Sequence, residues 1–60
     1  MRQHERAIED YNHAIRLDPN LAVAINARGL ALHALGLRAR AAEDFATARH
    51  MNPHLPPPPK

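Results

Sequence analysis

The stretch RAIEDYNHAIRLDPN, residues 6–20, is nearly repeated by RAAEDFATARHMNPH, residues 40–54, at an interval of 34 residues. Identical pairs are Arg6/Arg40, Ala7/Ala41, Glu9/Glu43, Asp10/Asp44, Ala14/Ala48 and Pro19/Pro53, and conservative pairs are Tyr11/Phe45, Leu17/Met51 and Asp18/Asn52. Self-similarity at a period of this length is typical of stacked helical units, which bury their apolar faces against one another.

Helix-breaking residues are confined to a few positions of this 60-residue chain. The two glycines are Gly29 and Gly36, and five of the six prolines lie at or after Pro53, with Pro19 as the exception. Alanine, leucine and arginine dominate, whereas β-branched residues are few, and this composition favours helix over strand. The sequence therefore predicts an all-α fold.

Three helices are predicted between these breaks. The first ends at Asp18-Pro19, because proline lacks an amide hydrogen and pushes the preceding residue out of the α region. The second spans residues 21–35, and the third spans residues 38–51 and ends at Asn52-Pro53. Apolar residues at helical spacing are predicted to face inward, namely Ala7, Ile8, Tyr11, Ala14 and Ile15 on the first helix and Ala41, Ala42, Phe45 and Ala48 on the third.

Local signals at the helix ends and surfaces add detail. Asn20 is expected to cap the second helix through its side-chain oxygen, and Gly36 is expected to close that helix in the left-handed conformation. Ion pairs one turn apart are expected on the exposed faces, between Arg6 and Asp10, Glu9 and His13, and Arg40 and Asp44.

The spacing Ala-x3-aromatic-x2-Ala-x4-Pro occurs twice in the chain, and this pattern resembles the tetratricopeptide repeat. The residues that carry the resemblance are Ala7, Tyr11, Ala14 and Pro19, and again Ala41, Phe45, Ala48 and Pro53. The first-helix pattern of that family, Trp-x-x-Leu-Gly-x-x-Tyr, is met more loosely by Ile25, Arg28, Gly29 and Leu32. Arg28 departs from it in residue type, and its stem is expected to lie along apolar surface with its charged head in water.

The resemblance implies an antiparallel three-helix array over residues 1–53. Residues 1–20 would be the second helix of a partial repeat, residues 22–53 a complete repeat, and residues 54–60 a proline-rich tail. Ile8 and Ile15 are expected to face the following unit, whereas the equivalent Ala42 and Arg49 would give the last helix the more polar outer face of an array end.

The same resemblance implies a protein–protein interaction module whose first helices line a concave groove for a peptide or helix. The groove residues are predicted to be Val23, Ala27, Leu30 and Ala34, with Asn26 and His33 at the margins, while Ile25, Leu32 and Leu35 form the core stripe. Because this second helix is apolar on two faces, it needs cover on both. The groove side is expected to be covered by a partner's apolar helix or peptide, by the missing first helix of the partial repeat, or by a second copy of the chain. Self-association as a homo-oligomer is favoured for the isolated chain. Some relatives bind acidic carboxyl-terminal peptides through a clamp of Lys, Asn and Arg, but the matching positions here hold Val23 and Ala27.

Catalytic, metal and cofactor sites are not predicted. The chain has no cysteine or serine and one threonine, Thr47, and its adjacent carboxylates point in different directions on a helix. Glu9 and His13 have metal-ligand spacing, but so does an exposed ion pair, and Pro53 breaks the helix between His50 and His54.

The net charge of +2 is modest, and the arginines of the chain are spread among acidic residues. RNA binding by those arginines is an alternative function, although Tyr11 and Phe45 are assigned to packing and not to base stacking. A passive spacer within a longer array is a third possibility. The sequence LPPPPK is read as a stiff spacer, with recognition by a proline-binding domain as the alternative. No leader or membrane-spanning stretch is predicted, and a cytoplasmic location is the expectation.

Overall fold

A computed structural model of the chain describes residues 2–56, which form three helices. The helices are α1 (Gln3–Leu17), α2 (Ala22–Ala34) and α3 (Arg38–Met51). The all-α prediction is confirmed for these residues, and the predicted bounds of α3 are correct. Residues 57–60, which make up most of the predicted polyproline tail, lie outside the described residues.

The two proline turns that follow α1 and α3 have nearly the same backbone. Asp18 lies at φ −142° and ψ 91°, and Asn52 lies at φ −141° and ψ 94°. The side-chain oxygens of Asp18 and Asn52 each accept a hydrogen bond from the backbone N–H two residues later. The donors are Asn20 and His54, and both distances are 3.1 Å. The repeat in sequence is therefore also a repeat in local structure.

The predicted cap on α2 is wrong. Leu21 occupies the N-cap position without a side-chain cap, and Asn20 uses its backbone N–H to complete the turn. The carboxylate of Asp18 accepts from this N–H, as aspartate side chains commonly do two residues before an amide in a turn. The second helix was predicted one residue too long at each end, because Leu21 and Leu35 are caps and not helical residues.

The turn between α2 and α3 follows the prediction for Gly36, which has φ +83°. The N–H of Gly36 donates to the carbonyl of His33 at 3.0 Å, and the N–H of Leu37 donates to that of Leu32 at 2.9 Å. This pair of bonds is the Schellman arrangement, which satisfies the last carbonyls of a helix when the next residue adopts a left-handed conformation.

The central helix α2 packs against both α1 and α3, whereas no Cα atom of α1 comes within 8 Å of one in α3. The buried apolar residues all belong to α2 and α3 and are Ala24, Ile25, Ala31, Leu32, Ala41, Phe45 and Ala48. No residue of α1 is fully buried, although Ile8 packs against the cluster of Leu32, Ala41 and Phe45. The core is thus displaced toward the carboxyl-terminal half of the structure.

Three expectations are not met. Leu35 was expected in the core, but it is 37% exposed and lies at the C-cap of α2. Ala42 was expected to face inward, but it is exposed on α3. Among residues 2–56 the expected one-turn ion pairs do not form, and Asp44 pairs with Arg28 of α2 and not with Arg40. Within this part of the chain, no helix is long and apolar enough to cross a membrane.

Candidate helix-binding face

The side of α2 that faces away from α3 carries large apolar residues in contact with solvent. Val23 is 64% exposed and Leu30 is 48% exposed. Of the other predicted groove residues, Asn26, Ala27 and His33 are half-buried and Ala34 is exposed. Exposed leucine or valine is ordinary when isolated, so the surroundings decide whether these residues form a site.

A shallow depression of about 230 Å³ lies between α1 and α2, beside Leu30. Its lining residues are His4, Ala7 and Tyr11 from α1 and Ala27, Leu30 and Ala31 from α2. Two of the predicted groove residues, Ala27 and Leu30, therefore line it, whereas Val23, Asn26, His33 and Ala34 do not. We call the surface formed by these lining residues and the adjacent Val23 the α1–α2 face.

The contribution of α1 to this face was missed from the sequence. Ala7 and Tyr11 were assigned to packing, because their counterparts Ala41 and Phe45 belong to the same repeated pattern. Both are only half-buried in the structure, whereas Ala41 and Phe45 are buried. Equivalent positions in the repeat therefore differ in how far the neighbouring helices cover them.

The covered copy of the pattern shows how a helix sits on these residues. On α3, the residues Ala41, Asp44, Phe45 and Ala48 are all buried, and α2 lies over them. An ideal Cβ at Gly29 would lie 2.8 Å from the ring of Phe45 and 3.3 Å from the carbonyl oxygen of Ala41. The absence of a side chain at Gly29 therefore lets α2 approach α3 closely.

A charged network accompanies this contact. The Arg28 guanidinium donates from Nε to Oδ2 of Asp44 and from Nη2 to Oδ1 of the same carboxylate, both at 2.8 Å. The hydrogen bonds that Arg28 donates to Asp44 raise the pKa of Arg28, burial opposes this rise, and the negative charge of Asp44 adds a smaller increase. The expectation that the head of Arg28 lies free in water is wrong.

Arg28 also reaches the first helix. Its Nη1 donates to Oδ1 of Asn12 at 2.8 Å. One side chain on α2 thus links α1 to α3, which have no Cα atoms within 8 Å of each other. Planar guanidinium groups suit this role, because their donors point in fixed directions and a carboxylate takes two of them in parallel.

Among residues 2–56, no group of three or more histidine, aspartate or glutamate side chains is arranged to hold an ion.

Two helices joined at Pro19 and two joined at Gly36, with α2 shared between them, define a helical-repeat protein. A family model described as TPR repeat matches residues 3–36, which is more than half of the chain. The chain therefore belongs to the tetratricopeptide repeat family, whose repeats generally mediate protein–protein interactions. No curated protein and no solved structure matches it. The matched residues cover α1 and α2, whereas the division into residues 1–20 and 22–53 stays a prediction.

Proposed function

We propose that the chain is a non-enzymatic interaction module that binds an apolar helix or peptide on the α1–α2 face. The observation that carries the proposal is the placement of the exposed Leu30 directly beside the depression that Ala7 and Tyr11 line. A helix that is apolar on two sides is normally covered on both, and the packing of α1 and α3 on α2 leaves Val23 and Leu30 exposed.

The energetics of this face favour modest affinity. Complete burial of a leucine or valine stabilises by about 1.5–3 kcal/mol, so burying the exposed halves of Val23 and Leu30 contributes about 1 kcal/mol each. Association itself costs about 4–15 kcal/mol in lost freedom. A partner therefore has to cover the ring of Tyr11 and the surrounding alanines as well, and we expect dissociation constants in the micromolar range or weaker.

The isolated chain self-associates through the same face. A chain of this length buries only about 60% of the surface its unfolded form exposes, so its core is small and an uncovered apolar surface is a liability. A second copy that packs Leu30 against the depression would reduce this exposure on both chains.

Sedimentation equilibrium or light scattering from low micromolar to millimolar concentration tests the proposal. The Leu30→Glu variant is expected to weaken self-association, because it places a charge on the apolar face. The Leu17→Glu variant is the matched control, since Leu17 is 75% exposed and does not line the depression. A chain that stays monomeric throughout with full helicity by circular dichroism, and that binds no helical peptide, contradicts the proposal.

A further inference from the structure

We infer that the helix recognised by the α1–α2 face carries an arginine followed directly by a glycine, with apolar residues three positions before the arginine and three after the glycine. The arginine pairs with Asp10, and the glycine lies against the ring of Tyr11. This inference rests on the proposed function and names the partner's chemistry at that site.

The template for the partner is the contact that α2 makes inside this chain. Arg28 of α2 forms a two-bond ion pair with Asp44, and the next residue, Gly29, lies against the ring of Phe45. Ile25 and Leu32, three residues before the arginine and three after the glycine, are buried. The acceptor surface consists of Ala41, Asp44, Phe45 and Ala48 on α3.

The same set of residues occurs a second time on α1, and among residues 2–56 no helix buries it as α2 buries the α3 set. The equivalent residues, each 34 positions earlier, are Ala7, Asp10, Tyr11 and Ala14. Positions with the same spacing on two regular helices share the same face, so Asp10 stands beside Tyr11 as Asp44 stands beside Phe45. On α3 the four residues are buried, whereas on α1 Asp10 is exposed and the others are half-buried.

Charge complementarity identifies the arginine. Among residues 2–56, Asp10 takes part in no ion pair and no side-chain hydrogen bond, while Asp44 accepts two bonds from Arg28. A helix that covers Tyr11 also removes water from Asp10, and a carboxylate that loses water without gaining a cation opposes binding. A basic residue one position before the close-contact glycine meets this requirement, and arginine does so with two parallel hydrogen bonds.

A second folded copy of this chain lacks the required chemistry. Its Arg28 is already paired with Asp44, and its Gly29 is covered by Phe45. Such a copy offers only the Val23 and Leu30 side of α2, which has no arginine. The high-affinity occupant is therefore a helix of a different protein that carries a free arginine–glycine pair, and self-association is the weaker use of the same face.

A fluorescently labelled peptide of residues 21–35, LAVAINARGLALHAL, added to the full chain, tests the inference. We expect the peptide to bind and to displace self-association measured by light scattering. Replacing its arginine by glutamine, or replacing Asp10 by asparagine in the protein, is expected to weaken binding about tenfold, and the two changes together are expected to cost little more than either one.

A charge exchange and a matched control complete the experiment. The protein variant Asp10→Arg combined with a peptide carrying aspartate in place of the arginine is expected to recover part of the lost binding. Asp44→Asn, compared under conditions in which circular dichroism shows it fully folded, is the control, because a peptide that displaces the chain's own α2 from α3 would respond to that change. Binding that ignores Asp10, or that responds to Asp44 alone, overturns the inference and leaves the proposed function standing. Absence of both peptide binding and self-association overturns both.

Discussion

The ring of Phe45 fills the space that a side chain at Gly29 would need. An ideal Cβ on Gly29 would lie 2.8 Å from Cε1 and 2.9 Å from Cδ1 of that ring. Gly29 is not among the residues with positive φ, so its conformation does not require glycine. Glycine is required here because α2 approaches α3 closely, and this approach buries the ring of Phe45.

Replacing Gly29 by alanine is expected to destabilise the protein despite a better helix propensity. Alanine gains about 1 kcal/mol over glycine in a helix interior. Overpacking of a buried contact costs about 1–3 kcal/mol, and here the new methyl group meets both the ring and the backbone oxygen of Ala41. We expect a net loss of about 1 kcal/mol in the free energy of unfolding, measured by urea titration. Phe45→Leu should cost less in this variant than in the parent chain, whereas additive costs would show that the ring is not the obstacle.

Replacing Arg28 by methionine is expected to lower the free energy of unfolding by about 1.5–3 kcal/mol, because it leaves the partly buried Asp44 without its partner. Asp44→Asn should act similarly, and a double-mutant cycle should give a coupling energy of about 1 kcal/mol or more. Asp10→Asn is the control at the equivalent exposed position, and its effect should stay within about 0.5 kcal/mol. Equal costs at Asp10 and Asp44 would contradict the role assigned to Arg28.

The pH dependence of this pair follows from the raised pKa of Arg28. A basic group whose pKa is higher in the folded state contributes stability that is fully present below its unfolded pKa and lost as the pH rises through the folded value. Arginine titrates far above neutrality, so the deficit of the Arg28→Met variant should be constant from neutral to mildly alkaline pH. Urea titrations of both proteins across that range measure it, and a deficit that shrinks there would show that another group controls the interaction.

Replacing Gly36 by alanine separates conformational strain from steric contact. No atom lies within 4 Å of a Cβ built on Gly36, but its φ is +83°. Since alanine disfavours left-handed backbone, we expect a loss of about 1–2 kcal/mol in the free energy of unfolding. Asparagine tolerates this region better, so Gly36→Asn should lose less, and D-alanine introduced by chemical synthesis should stabilise by about 0.4–1 kcal/mol. Equal losses for alanine and asparagine would argue against strain as the cause.

Helix breaks were predictable from the sequence because their chemistry is local. Proline at positions 19 and 53 removes a donor, and Gly36 supplies the left-handed residue, whatever the rest of the chain does. Interactions between helices were harder to predict from the sequence. Asp44 has Arg40 one turn away in sequence, yet it pairs with Arg28, 16 residues away, because α2 places that guanidinium over the buried side of α3.

The α2 side of the candidate face was expected from the family resemblance, and two of the residues predicted there, Ala27 and Leu30, line the depression, whereas the α1 side was not expected. Periodicity shows which residues share a side of a helix, but not whether another helix covers that side. Tyr11 and Phe45 occupy equivalent positions in the repeat, and only the packing of the helices shows that Phe45 is enclosed while Tyr11 lines an open depression.

Alanine substitutions at these two aromatic positions should therefore have unequal effects. Phe45→Ala removes a ring buried between α2 and α3 and is expected to cost about 3–5 kcal/mol, enough to abolish the folding transition of so small a chain. Tyr11→Ala is expected to cost about 1–2 kcal/mol, because water already reaches one side of its ring. Thermal melts followed by circular dichroism, with trimethylamine oxide added to keep the Phe45 variant folded, allow the comparison. If Tyr11→Ala instead destabilised as severely as Phe45→Ala while the chain remained monomeric, α1 would be enclosed within one chain and the open face would not exist.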